Sequence, residues 1–240
     1  MIKLEKKESI YLLSMDAEEN RWNTAFVREI AEALDEIEND EGPGALITSS
    51  TNPKFFSNGL DLDWMQAPED HPEGGDREVF GEEFMYLMGR FITLPIPTVC
   101  AINGHSFGAG FMFALSHDVR IMREDRGFLC ANEMQLGLPI PRPELALFKH
   151  KIPVNAFFET VQLSKRWTGS NALKAGIIQE VSSFEELPEV ALKKAEELAS
   201  LANNRKNFGH QKEMLYGENA AINLNHGPAH MLKNSRDFKI

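Results

Sequence analysis

Apolar positions along this chain switch between two periods. An apolar run at residues 9–15 predicts a strand, after which Phe26, Ile30, Leu34 and Ile37 recur at the spacing of an amphipathic helix capped by Asn23 or Thr24. Residues 39–44 stop that helix. A short strand is expected at 45–49, then a turn at Thr51-Asn52-Pro53 and a further element over 55–62, which is β-α-β order with a loop at the strand end. Val79, Phe80, Phe84, Leu87, Met88 and Phe91 predict a second amphipathic helix, ended by Pro95 and Pro97. A buried strand is expected at 98–102, a sharp turn at Asn103-Gly104, an apolar helix over 109–116, and strands at 119–122 and 128–131. Beyond these the pattern turns helical, with helices expected at 155–163, 170–175 and 188–203.

Strands early and helices late define an α/β chain, with a core over 1–181 and, after a composition shift near Ser182, a helical section over 182–240. Pro68, Pro72, Gly74 and Gly75 among acids make 67–76 the expected mobile surface loop, placed to cover a pocket. The sequence shows no internal repeat or low-complexity tract, which argues against solenoids and arrays.

Composition narrows the function. A chain of 240 residues with 42% hydrophobic and 25% charged side chains is long enough for a large buried core and too ordinary for wholesale disorder. The formal charge of -11, with no basic stripe interleaved with aromatics, argues against a nucleic-acid partner. No run approaches the roughly 18 apolar residues of a membrane span, no secretory pattern opens the chain, and its end lacks a Ser-Lys-Leu address. Cys100 and Cys130 lie in apolar runs, as buried free thiols of a reducing compartment do. A cytoplasmic location is the expectation.

Three segments carry chemistry: Phe55-Phe56-Ser57-Asn58-Gly59-Leu60-Asp61-Leu62, Asn103-Gly104-His105-Ser106-Phe107-Gly108-Ala109-Gly110-Phe111-Met112 and Asn132-Glu133-Met134-Gln135-Leu136-Gly137. Two glycine-rich turns can aim backbone N–H groups into a cavity, because no side chain blocks the approach. Such a pair stabilises an oxygen that gains negative charge during reaction. Glu133 follows an apolar strand and precedes a turn, so its carboxylate can enter a cavity from a strand end; partial desolvation there would raise its proton affinity into the range of a general base.

Together these segments resemble the crotonase (enoyl-CoA hydratase/isomerase) family, over about residues 12–181. The resemblance implies a crotonase-like spiral of β-β-α turns, a trimer or dimer of trimers, and a coenzyme A thioester as substrate, with no metal or redox cofactor. It places the two oxyanion-hole N–H groups on Leu60 and Ala109 and makes Glu133 the catalytic acid-base. In the family's hydratases two glutamates flank a water; the first of these positions is Met112, which cannot activate water. One remaining carboxylate implies isomerisation of 3-enoyl-CoA to trans-2-enoyl-CoA in fatty acid degradation, with hydration, or acyl-CoA binding without efficient turnover, as alternatives. Phe56, Leu62, Trp64 and Met112 are the expected acyl contacts. Lys212 is either a contact of a CoA phosphate or, the better reading, an exposed helix lysine.

A rival lies in Gly104-His105-Ser106-Phe107-Gly108, which matches the G-x-S-x-G elbow of serine hydrolases. Asp118 or Asp125, with His210, His226 or His230, would have to complete its triad. His226 and His230 are also four apart, a spacing used for metals, but Gly227 and Pro228 between them are expected to break the helix that would align the rings.

Overall fold

A computed structural model describes residues 1–68, 74–218 and 226–238. The proposed covering loop over 67–76 therefore lies partly outside the described residues. The strands are β1 (Ile2–Lys7), β2 (Ile10–Met15), β3 (Ala45–Ser50), β4 (Phe55–Ser57), β5 (Thr98–Ile102), β6 (His105–Phe107), β7 (Val119–Arg123), β8 (Leu129–Cys130) and β9 (Glu180–Ser182). The helices are α1 (Thr24–Asn39), α2 (Leu62–Gln66), α3 (Arg77–Thr93), α4 (Ala109–Leu115), α5 (Arg142–Lys151), α6 (Val154–Val161), α7 (Gly169–Lys174), α8 (Leu187–Ala199), α9 (Arg205–Tyr216) and α10 (Pro228–Lys233).

Two sheets stack in the spiral. The larger runs β1-β2-β3-β5-β7-β9, parallel except for the antiparallel β1-β2 hairpin, and the smaller runs β4-β6-β8, all parallel. Each turn of the spiral thus places one strand in each sheet: β3 then β4, β5 then β6, β7 then β8. The sharp bend between β5 and β6 requires Gly104, because a Cβ there would sit 2.1 Å from the Lys54 carbonyl oxygen.

Strand β1 was not expected. Its charged residues Lys3, Glu5, Lys6 and Lys7 hide the alternation, and its inner positions are only half-buried, as suits the edge of a sheet. Helix α1 matches the periodic pattern: Asn23 accepts from the Phe26 N–H, and Phe26, Ile30, Leu34 and Ile37 are buried. Trp22, Phe84, Phe91, Phe56 and Phe113 then pack as one aromatic cluster at the centre of the core. Helix α8 lays Ala191, Ala195 and Ala199 against Ile10, Ala45, Ile47, Val99 and Ala101 of the large sheet. Small residues on one stripe let helix and sheet approach closely.

Candidate functional site

The ends of β4, β6 and β8 converge on a cavity of about 180 Å3, lined by the three segments singled out in the sequence together with α3, α5 and the 138–139 turn. Leu60 forms a parallel bridge with Trp22 in which the Trp22 N–H donates to Gly59 and the Asp61 N–H donates to Trp22, both at 2.9 Å. The bridge uses the groups on either side of Leu60 and leaves its own N–H pointing away from Trp22, and Leu60 lines the cavity. Ala109 is the first residue of α4, so its N–H has no partner inside the helix.

Two glycines bring these amides to one place. Gly59 has φ +85°, and a Cβ on it would lie 2.8 Å from the Phe107 carbonyl oxygen and 3.9 Å from the Ala109 nitrogen, so the two turns touch. Ser57 braces the first turn from beneath: its hydroxyl donates to the Asn20 carbonyl and accepts from Trp22 Nε1 and, at 3.3 Å, from the Gly59 N–H. Gly108 has φ +48°, and a Cβ there would lie 3.2 Å from Glu133 Oε1. The Gly108 turn is therefore pressed against the Glu133 carboxylate. Gly108→Ala is expected to reduce kcat about tenfold or more, because it strains the backbone and displaces the acid from its working position. Steady-state kinetics beside a melting curve checks this, with the activity loss far exceeding any loss of stability.

Glu133 opens a single 3-10 turn, Glu133–Leu136, closed by Gly137 in the left-handed region. Its Oε2 is buried without a hydrogen-bond partner. Burial pushes its carboxyl above the ordinary carboxylate range, against a small opposing pull from a backbone hydrogen bond. Leu62 and Met112 line the cavity, joined by Phe80, Phe84, Leu138 and Pro139.

Phe56 and Trp64 are not part of that lining. Phe56 is fully buried and stacks on Phe113, because the alternation of β4 turns it toward the aromatic core. Trp64 packs edge-on against Phe80, one layer behind the cavity wall. Lys212 is neither a phosphate contact nor an exposed lysine: it is 4% exposed, pairs with Asp118 at 2.7 Å and donates to the Ile96 carbonyl.

The serine-hydrolase reading does not assemble. Ser106 lies inside β6 rather than at a strand-to-helix turn, and its hydroxyl is buried with no partner. Asp118 is engaged by Lys212, and Asp125 by Arg123 at 2.6 Å. The histidine pair departs from expectation in the other direction. Helix α10 starts at Pro228, where proline is well tolerated, and the rings of His226 and His230 stack at 4.3 Å. Both Nδ1 atoms lie 3.7 Å from the Glu218 carboxylate, an arrangement that protonated imidazole satisfies as an ion pair.

One ionisable residue of the cavity wall escaped the sequence reading altogether. Glu144 sits in the first turn of α5, 7% exposed, and lines the same cavity as Glu133 and Met112. Burial, and after it the charge of Glu133, push its carboxyl up to about 8, so it carries a proton at neutral pH. The available signal was Pro143 at the start of a helical pattern completed by Leu147 and Phe148.

Layered β-β-α turns, with paired glycine turns over a half-buried glutamate, define a crotonase-type α/β protein. The sequence matches the family model described as enoyl-CoA hydratase/isomerase over residues 5–231, and the chain belongs to that family. It is 32% identical over 222 residues to enoyl-CoA delta isomerase 3 of Arabidopsis thaliana, covering 91% of this chain and 93% of the relative. It is 31% identical over 227 residues to the peroxisomal enoyl-CoA delta isomerase 2 of the same plant, covering 92% and 95%. Among solved structures, human mitochondrial delta3-delta2-enoyl-CoA isomerase superposes with a TM-score of 0.81 at 25% identity, covering 98% of this chain and 87% of that one. A probable enoyl-CoA hydratase from Mycobacterium tuberculosis superposes with a TM-score of 0.82 at 26% identity, covering 98% and 92%. No helix among the described residues is long and apolar enough to cross a membrane.

Proposed function

We propose that this chain isomerises 3-enoyl-CoA to trans-2-enoyl-CoA in fatty acid degradation by a one-glutamate proton shuttle. The observation that carries this reading is the contact geometry of Gly108, which lies against the Glu133 carboxylate one residue before the Ala109 amide, while Met112 lines the same cavity. The thioester oxygen accepts from the Leu60 and Ala109 N–H groups. Ionised Glu133 removes a proton from C2, the enolate charge collects on that oxygen, and a proton returned at C4 gives the product. Donors about 2.7–3.1 Å from the oxygen act selectively on the enolate, and one such donor is worth about 10²–10³ in rate.

Delta isomerases of similar length support the direction of the chemistry. The apolar wall of Leu62, Phe80, Phe84, Leu138 and Pro139 suits an acyl chain. Neither step calls for a metal or redox cofactor, and a cytoplasmic site of action remains part of the reading. Exposed Val154, Phe158 and Leu163, on and just after α6, give a lone chain an apolar face that a trimer or dimer of trimers would cover. Purified protein is expected to turn over 3-hexenoyl-CoA much faster than it hydrates crotonyl-CoA. Rapid hydration with little isomerisation would overturn the assignment.

A further inference from the structure

The shuttle through Glu133 leaves a second buried acid in the same cavity unemployed. Glu144 enters from α5, which packs on α4 through the edge contact of Phe148 with Phe111, 5.5 Å between ring centroids. Helix α4 carries Met112, where the sequence has no carboxyl to offer. No donor among the described residues reaches the Glu144 carboxyl, and Glu133 Oε2 is likewise unpartnered. A buried polar atom left open, as Glu133 Oε2 is, costs stability unless something fills the gap. Both acids face the space a substrate would occupy.

We propose that Glu144 is the second acid of the site, restoring from α5 the carboxyl missing at Met112, and that it delivers the proton to C4. The inference rests on Glu133 as the base and on the paired amides, and it replaces the return of the proton by Glu133 at C4 with delivery from Glu144. Glu133 takes a proton from C2, and the C–H electron pair enters the dienolate held at Leu60 and Ala109. As the thioester carbonyl re-forms, the double bond settles between C2 and C3, and the former C3–C4 π pair takes the proton from the Glu144 O–H. Glu133 is then the acid and Glu144 the carboxylate. One proton transferred back through solvent resets the pair, with no net gain or loss.

The charge environment suits a proton-bearing Glu144. Around α5 lie Glu159 on α6, His230 and Lys233 on α10, and Arg236 and Asp237 beyond it, while α4 carries no ionisable side chain. Of these neighbours and the 133–136 turn, only Glu133 acts on Glu144, and its negative charge favours the protonated form.

An isotope experiment tests this. Enzyme in excess converts 3-hexenoyl-CoA bearing deuterium at both C2 positions, in ordinary water, through a single turnover, and mass spectrometry locates the label. Wild type is expected to give product with protium delivered at C4. Glu144→Gln is expected to slow the reaction about 10- to 100-fold and to deliver deuterium at C4, since Glu133 must then do both transfers. Glu144→Met, matched to the apolar wall, should give the same pattern if the amide disturbs folding, and Glu144→Asp should restore protium. Because Glu144 acts in its protonated form, wild-type kcat should also fall as pH rises through about 8, a limb absent from Glu144→Gln. An unchanged label pattern and pH profile in Glu144→Gln overturns the relay while leaving the Glu133 reading intact. Full turnover by Glu133→Gln would instead remove the base on which both rest.

Discussion

Glu133→Gln is expected to lower kcat for 3-enoyl-CoA by about 10²–10⁴, the range that a positioned acid-base group supplies. The amide keeps the shape of the side chain and its place against Gly108, so binding of the acyl-CoA should change far less than kcat. The paired amides of Leu60 and Ala109 would still polarise the thioester, which is why the residual rate should stay above that in water. A carboxylate base works only when ionised, and burial places the proton affinity of Glu133 above that of an ordinary carboxylate. In wild type kcat/KM should therefore rise as pH climbs through that raised value, and this acidic limb should vanish in Glu133→Gln. Rates followed from acid to neutral pH, with product identified by chromatography, provide the check; a variant that keeps its rate and its limb would exclude Glu133 as the base.

Lys212→Met is expected to cost about 3–5 kcal/mol of folding stability, the penalty for removing one partner of a buried ion pair. Asp118 is the group left behind. It accepts from the Thr98 N–H at 2.9 Å and the Thr98 hydroxyl at 3.1 Å as well as from Lys212. Burial works against its ionisation, but the charges of Lys212 and Lys151 prevail and hold its carboxyl below the usual range. A carboxyl with its pKa depressed in the fold contributes stability above its unfolded value and loses it as pH falls, so part of the wild-type advantage should shrink under acid. Lys151 cannot fully substitute, since burial has already pulled its own ammonium down to about 7. Urea denaturation of both proteins at neutral and acid pH measures the difference. A change within about 0.5 kcal/mol, ordinary for a surface site, would mean that the ion pair carries no weight.

The legible part of this molecule was its local order. Helix α1, strand β5 and helix α4 declare themselves through residues that are each buried by their own period, and the glycine turns at Gly59 and Gly108 through positions only glycine fills easily. Three gaps share a cause. Strand β1 shows no alternation because an edge strand buries little of either face. Phe56 and Trp64 read as cavity residues because an aromatic beside a catalytic turn looks the same whether it faces substrate or core. Glu144 stayed unseen because a glutamate in a helix's first turn is usually solvated and attracted by the helix dipole, and nothing in its neighbours announces burial.

Charge followed the same rule. Lys212 sits on a helix whose surroundings in sequence are polar, and only the return of α9 to the loop ahead of β5 buries it against Asp118. The stacked imidazoles of His226 and His230 depend on Pro228 starting a helix rather than breaking one. By itself the sequence determined the α/β order and the glycine turns, written in contiguous residues whose spacing or conformational freedom leaves few alternatives, while the spiral and the place of Glu133 beside those turns followed from the resemblance of three short segments to the crotonase family. The tertiary structure alone decided which aromatics wall the cavity, which charges are buried in pairs, and that a second carboxyl reaches the site from α5: these are matters of distance between segments far apart in the chain, set by packing rather than by any local pattern.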